Sequence, residues 1–223
     1  MKKRQYDDAC AATHAIDMLG QRWVLPVMRE LMLGPKRFTD LKSDLRTISA
    51  NVLTQRLEMM EERGVITRLR LAPPASGQAY GLTPWGYQAA PIFQTMARWG
   101  ARSPEHDPAA PMSATSLVLS LRSMVDPERA AGFCALVGLH LGRETFTVDY
   151  NSGAVAIARR TLPQDLDAVI TADPDAVAAL VHCAVPLIDL ETHGRMAVSG
   201  DRFVIERMAT LYPPCTRAQL PPE

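Results

Sequence analysis

Asn51, Thr54 and Gln55 stand at i, i+3 and i+4, so a helix through Ala50–Arg63 would hold them in one stripe. Asn and Gln can pair with adenine edges, and the next residue, Arg56, with guanine. Ser49 comes just before the segment, where a hydroxyl caps a helix and the helix N-terminus can hold a phosphate. Leu53, Leu57 and Met60 supply the opposite, buried seam; Glu58 falls with the polar face, and Gly64 ends the helix. The chemistry suits the edge of a nucleic acid. From these residues alone, an ordinary solvated face with capped ends fits equally well.

The elements around this stripe set its context. Phe38, Leu41 and Leu45 have the spacing of a short amphipathic helix within Arg37–Leu45, and Arg46-Thr47-Ile48 makes a brief turn before Ser49. Two short helices joined by a tight turn, the second with an amide-rich outer face, read as a helix-turn-helix. Upstream, Trp23, Val27, Met28, Leu31 and Met32 predict a helix over Arg22–Leu33, stopped by Gly34-Pro35. Pro26 should bend that helix unless it lies in the first turn. Downstream, Val65–Leu71 reads as a strand, Pro73-Pro74-Ala75-Ser76-Gly77 as a turn and Gln78–Leu82 as the returning strand. A hairpin directly after a helix-turn-helix is a wing, and Arg68 and Arg70 on its outer face can meet phosphates. Thr83-Pro84 then opens a helix carrying Tyr87, Ile92, Phe93, Met96 and Trp99.

The formal net charge of zero conceals a division. Residues 1–102 hold 15 Lys+Arg against 9 Asp+Glu, a net of +6; residues 103–223 hold 9 against 15, a net of −6. A basic half can attract a polyanion. Between the halves, residues 103–112 carry three prolines and no apolar periodicity, and read as a semi-rigid linker. The predicted domains are therefore 1–102 and 113–213, with a tail at 214–223. The apolar fraction of 47% and charged fraction of 22% argue against disorder. The longest charge-free apolar stretch, between Asp175 and Asp189, is too short to span a membrane, and no secretory signal fits the N-terminus. Cys10, Cys134, Cys183 and Cys215 lack metal-ligand spacing and read as reduced thiols, so a cytoplasmic location is expected.

In the acidic half, residues 114–124 form an amphipathic helix with Leu117, Leu121 and Met124. Phe133, Ala135, Val137 and Leu139 alternate, as do Phe146 and Val148, then Val155 and Ile157, with turns at Gly142-Arg143 and Asn151-Ser152-Gly153. Asp167–Thr171 is a further strand. Asp173-Pro174 caps a helix through Ala176, Val177, Leu180 and Val181; another helix ends near His193-Gly194, and Met196–Val198 is a last strand before a helix from Asp201. The fold class is α+β, with an antiparallel sheet covered by helices. No phosphate loop, nucleophile elbow or metalloprotease motif is present. The histidines His14, His106, His140, His182 and His193 are scattered, and His182-Cys183 do not face one site on a helix. Neither an enzyme nor a metal or other cofactor is expected.

The first half resembles the HxlR-type winged-helix regulators of bacteria. The resemblance rests on Cys10, Ile16–Trp23, Arg29-Glu30-Leu31, Gly34–Leu41, Ile48–Leu57, Glu62–Ile66 and Tyr80–Thr83, spanning about residues 8–101. It implies a homodimer built from the first helix and the helix after the wing. It also implies two recognition helices in successive major grooves of a roughly palindromic site. Carried over by position, Ser49, Asn51, Thr54, Gln55 and Arg56 would face DNA, and Arg37 and Thr39 would touch its backbone. Two departures stand out: Pro26 replaces a helix-forming aliphatic, and the wing tip is uncharged.

Some members of that family sense oxidants or electrophiles through a thiol near Cys10. Here Lys2, Lys3 and Arg4 favour a thiolate and Asp7 and Asp8 oppose it; a small helix residue in a dimer core is the plainer reading. The second half resembles the sterol-carrier-protein-2-like (SCP2-like) domain. That resemblance is carried by Phe146-Thr147-Val148, Asp167–Ile170, Asp173-Pro174 and Gly194–Asp201, over about 112–212. It implies an apolar ligand between sheet and helices, with Phe133, Val137, Phe146, Val148, Leu180 and Leu187 as candidate lining; a filled core with no cavity fits the same pattern.

The expected function is a dimeric transcription regulator binding double-stranded DNA and controlled by an apolar or amphipathic small molecule. Its rivals are a thiol-based redox regulator acting through Cys10, and an apolar-ligand carrier that uses the winged helix only for dimerisation.

Overall fold

The backbone turns where the sequence breaks helices. The computed structural model describes residues 6, 8–71 and 77–219. The readings placed on Lys2, Lys3, Arg4 and Asp7, and on the wing-tip residues Pro73, Pro74, Ala75 and Ser76, lie outside the described residues. The chain divides into two compact units, Met1–Ala90 and Pro91–Glu223. The division falls ahead of the proline-rich segment 103–112, which has no helix or strand.

The first unit begins with α1 (Ala11–Leu19), which buries no residue, and α2 (Val24–Leu31), which buries Val24, Val27, Met28, Glu30 and Leu31. α2 is shorter than its apolar pattern predicts. Pro26 is its third residue, within the first turn, where no intrahelical N–H bond is forfeited. Next come α3 (Phe38–Asp44) and α4 (Ala50–Glu62). Gly64, at φ +70°, ends α4 in the left-handed region that glycine adopts without strain. The hairpin β1 (Ile66–Leu71) and β2 (Gly77–Leu82) follows in antiparallel register, Ile66 opposite Leu82 and Arg68 opposite Tyr80. Lys36 adds a one-residue third strand, its N–H and C=O both bonded to Tyr80. α5 (Pro84–Tyr87) is capped by Thr83, whose hydroxyl accepts from the Gly86 N–H at 3.0 Å.

The second unit carries α6 (Ala90–Gly100), all but its first residue, and α7 (Ala114–Met124). The single helix expected after the wing is therefore two, broken between Tyr87 and Ala90. A meander follows: β3 (Cys134–Leu141), β4 (Glu144–Asn151) and β5 (Ala154–Arg159). Then come β6 (Ala168–Ala172), α8 (Pro174–His182), α9 (Leu187–Thr192), β7 (Met196–Gly200) and α10 (Arg202–Ala209). The sheet order is β5-β4-β3-β6-β7, and β6 runs parallel to β3. The sheet is thus mixed, not antiparallel as expected. The chain leaves β5 at one edge and crosses through residues 160–167 to the far side of β3, and alternation of side chains records neither strand order nor direction.

Val137, Leu139, Phe146, Val148 and Ile170 occupy one face of this sheet and are fully buried. Burial of each such side chain contributes roughly 1.5–3 kcal/mol. On the other face Gly138 lies against Leu162 and Leu166 of the crossover; a Cβ there would stand 2.7 Å from Leu166.

Candidate nucleic-acid interface

The helix-turn-helix is held from within by buried charge. Lys36 Nζ lies 3.1 Å from Glu30 Oε2 and 2.7 Å from Asp44 Oδ2, and Arg29 Nη2 lies 2.9 Å from Glu30 Oε1. Glu30 and Lys36 are buried, so the network ties α2, the bridge strand and the end of α3 together. The Asp40 carboxylate accepts from the Arg37 N–H, closing the start of α3. With that frame fixed, Leu41, Leu45, Ile48, Leu53, Leu57 and Met60 seal the core between α3 and α4.

α4 then presents its polar face outward. Ser49 caps it, its Oγ accepting from the Val52 N–H at 3.3 Å. Ser49, Asn51, Thr54 and Gln55 are exposed. The dipole and free N–H groups at this end favour an anion. Arg56 is half-buried, because its Nε donates to the Arg22 carbonyl at 3.0 Å. Thr39 is exposed and Arg37 half-buried at the start of α3.

The wing arginines separate. Arg70 is exposed with no partner among the described residues. Arg68 bonds Glu61 through its Nε at 2.8 Å and sits over the Tyr80 ring, so its charge is largely answered within the unit. Sequence reasoning missed Arg46, an exposed guanidinium in the helix-turn-helix turn with no partner among the described residues. Its place between the two helices was legible, as a cation three residues before the cap.

Cys10 is exposed at the N-cap of α1. The Thr13 and Ala12 backbone N–H groups hold its thiol below the ordinary range. The Asp8 carboxylate takes the Cys10 N–H at 2.9 Å and the Thr13 hydroxyl at 2.7 Å. In the second unit Val137, Phe146, Val148, Leu180 and Leu187 are buried, while Phe133 lies just before β3 and meets the Tyr150 ring edge-on at 5.4 Å.

A family model described as HxlR-like helix-turn-helix matches residues 18–108. The Bacillus subtilis HTH-type transcriptional regulator YvaP is 33% identical over 85 residues, 38% of this chain and 79% of that relative. The chain belongs to the HxlR-like helix-turn-helix family. YodB, another B. subtilis HTH-type regulator, is also 33% identical over 85 residues, 38% of this chain and 76% of its own. The solved reduced form of YodB is 30% identical, covers 45% of this chain and 100% of that one, and superposes with a TM-score of 0.40. HxlR-like proteins are transcriptional regulators, and the family implies DNA as a partner. No described helix is long and apolar enough to cross a membrane.

Proposed function

We propose that this chain is a homodimeric transcription regulator that places α4 in the major groove of a roughly palindromic operator, with an SCP2-like C-terminal domain sensing an amphipathic small molecule. One observation carries the DNA reading: the stripe Asn51, Thr54 and Gln55 is exposed behind a capped N-terminus, while the seam below it is buried. On this reading Asn51, Thr54, Gln55 and Arg56 face bases, and Arg37, Thr39, Ser49, Arg46 and Arg70 face phosphates, with Arg68 playing a smaller part. Dimerisation is supported by two helices with unburied apolar faces. α1 leaves Ile16 55% exposed, and α6 leaves Ile92, Met96 and Trp99 exposed at i, i+4 and i+7, Trp99 at 79%.

The test is binding to genomic fragments captured by the purified protein. Changing Gln55 and Arg56 to alanine is expected to weaken binding by about 1–3 kcal/mol per lost base pairing, with the dimer intact. The affinity should fall steeply with salt. A parent protein that captures no duplex would instead favour the carrier reading.

The ligand reading is supported by the apolar sheet face around Phe133, Val137, Phe146 and Val148, against which α7 and α10 pack, with Leu180 buried on α8 and Leu187 on α9. The buried Nε of Arg122 has no hydrogen-bond partner among the described residues, which favours a ligand with an anionic head. Saturation by a long-chain carboxylate but not by the matching alcohol would bear this out; equal response to both would remove Arg122 from the reading. A ligand acts as a signal only through different affinity for the DNA-competent state.

A second reading is favoured by Cys10, whose exposed thiol is held acidic by a helix N-terminus. It predicts that Cys10→Ser abolishes the response to an oxidant while basal DNA binding stays unchanged.

A further inference from the structure

Arg56 and Arg63 are seven residues apart along α4 and its C-cap, two turns on one side of the helix. Both direct donors to main-chain carbonyls of the α1–α2 junction. Arg56 Nε meets the Arg22 carbonyl at 3.0 Å. Arg63 Nη1 meets the Asp17 and Met18 carbonyls at 2.9 and 3.0 Å. Asp17 and Met18 lie in the last turn of α1, where carbonyls lack intrahelical partners and the helix dipole favours a cation. Trp23 sits at φ +80°, a left-handed conformation unusual for an aromatic residue. That torsion sets the plane of the peptide whose oxygen receives Arg56, so backbone strain falls where the junction meets α4. Because α1 buries no residue, packing does little to fix its angle.

We propose that Arg63, acting on the end of α1, and the Nε of Arg56, acting on the junction that follows it, clamp α1 to the DNA-facing helix, and so set the spacing at which a dimer presents its two α4 stripes to DNA. Arg63 is a positioning residue and touches no DNA. Arg56 has two roles: its Nε holds the clamp, and its terminal nitrogens, unpartnered among the described residues, are left for the operator. The inference rests on the functional reading above, since it needs a dimer paired through α1.

The test is selection from a library of randomised duplexes by the full-length parent and by Arg63→Met, Arg63→Gln and Arg63→Lys in parallel. Sedimentation and thermal melting check dimer and fold. The parent is expected to enrich a paired site of one spacing. Arg63→Met should enrich the same half-site sequence with a shifted or broadened spacing. It should bind the parent's site at least about tenfold more weakly, the effect of losing hydrogen bonds from a charged donor. The slope of log affinity against log salt should not change, because no phosphate contact is removed. Arg63→Lys, whose ammonium can serve both carbonyls, should restore the parent's spacing. Arg63→Gln should shift it in the direction of Arg63→Met, and decides the matter if the methionine variant does not fold.

Parent spacing and affinity in a folded Arg63→Met or Arg63→Gln would overturn the clamp alone. So would loss of half-site preference with a reduced salt slope, since that marks a direct contact. A parent that enriches no duplex overturns the functional reading and the clamp with it.

Discussion

The two units satisfy most of their enclosed polar groups in different ways. The N-terminal unit buries charge: Glu30 and Lys36 are enclosed, with Asp44 and Arg29 completing the network. The C-terminal unit, apart from the enclosed Nε of Arg122, pairs neutral groups, one pair buried and one half-buried. Tyr150 and Tyr212 share a hydrogen bond of 2.7 Å, and Ser120 meets His182 Nε2 at 2.7 Å. Burial raises the pKa of both tyrosines and lowers that of His182, so all three stay uncharged. A charged network tolerates little change in geometry, which suits the proposed role of holding one helix at one angle. Neutral pairs satisfy polar atoms without a strong fixed field, which suits an interior facing apolar matter.

The largest effect expected from this contrast is at Lys36. Lys36→Met takes one cation from the buried Glu30 and half-buried Asp44 carboxylates, and should destabilise the N-terminal unit by about 3–5 kcal/mol, read as a shift in its denaturant midpoint. Adding Glu30→Gln should recover part of that loss. If Lys36→Met alone were nearly neutral, the network would not be the frame of the helix-turn-helix.

The second unit should respond to acid instead. Burial, with a smaller push from His106, lowers the His182 pKa from 6.5 to about 4. Its ring also packs edge-on against Tyr212 at 6.0 Å. The unfolded chain takes up the proton first as pH falls, so the stability present above pH 6.5 is lost as pH drops toward about 4. The loss should reach about 2 kcal/mol, allowing for partial exposure. His182→Gln should flatten the stability profile in that window; an equally steep profile would assign the acid response to other groups.

The same contrast explains how much was legible in advance. Both helices of the helix-turn-helix, the cap at Ser49 and the exposed stripe follow from period and cap chemistry, which are local. The net of +6 was visible as a count, but not its distribution. Lys36 is enclosed, Arg63 serves carbonyls, Arg29 faces Glu30 and Arg68 faces Glu61. Fewer cations face solvent than the sum suggests, because partners in the fold claim them, some adjacent in sequence, as Glu30 is to Arg29, and some distant, as Asp17 and Met18 are from Arg63. The C-terminal strands were found by alternation, whereas the parallel β3–β6 pairing was not, since a crossover leaves no periodic trace. Phe133 was read into a strand that begins one residue later. The break between α5 and α6 was missed because apolar spacing runs on through it.

The smallest effect, at Ser49, separates the two uses of one residue. Its Oγ accepts the Val52 N–H, so Ser49→Ala should cost about 1 kcal/mol of stability in the N-terminal unit. Ser49→Asp keeps an acceptor at the cap and adds a charge that the helix dipole welcomes, so its stability should equal the parent's within a few tenths of a kcal/mol, approximately. Beside a phosphate the same carboxylate is repelled. DNA binding should therefore fall further in Ser49→Asp than in Ser49→Ala, although the aspartate variant is the more stable protein. Melting curves and duplex titrations on the two variants test this directly. If affinity followed stability, Ser49 would be a structural cap and nothing more, and the interface would begin at Asn51.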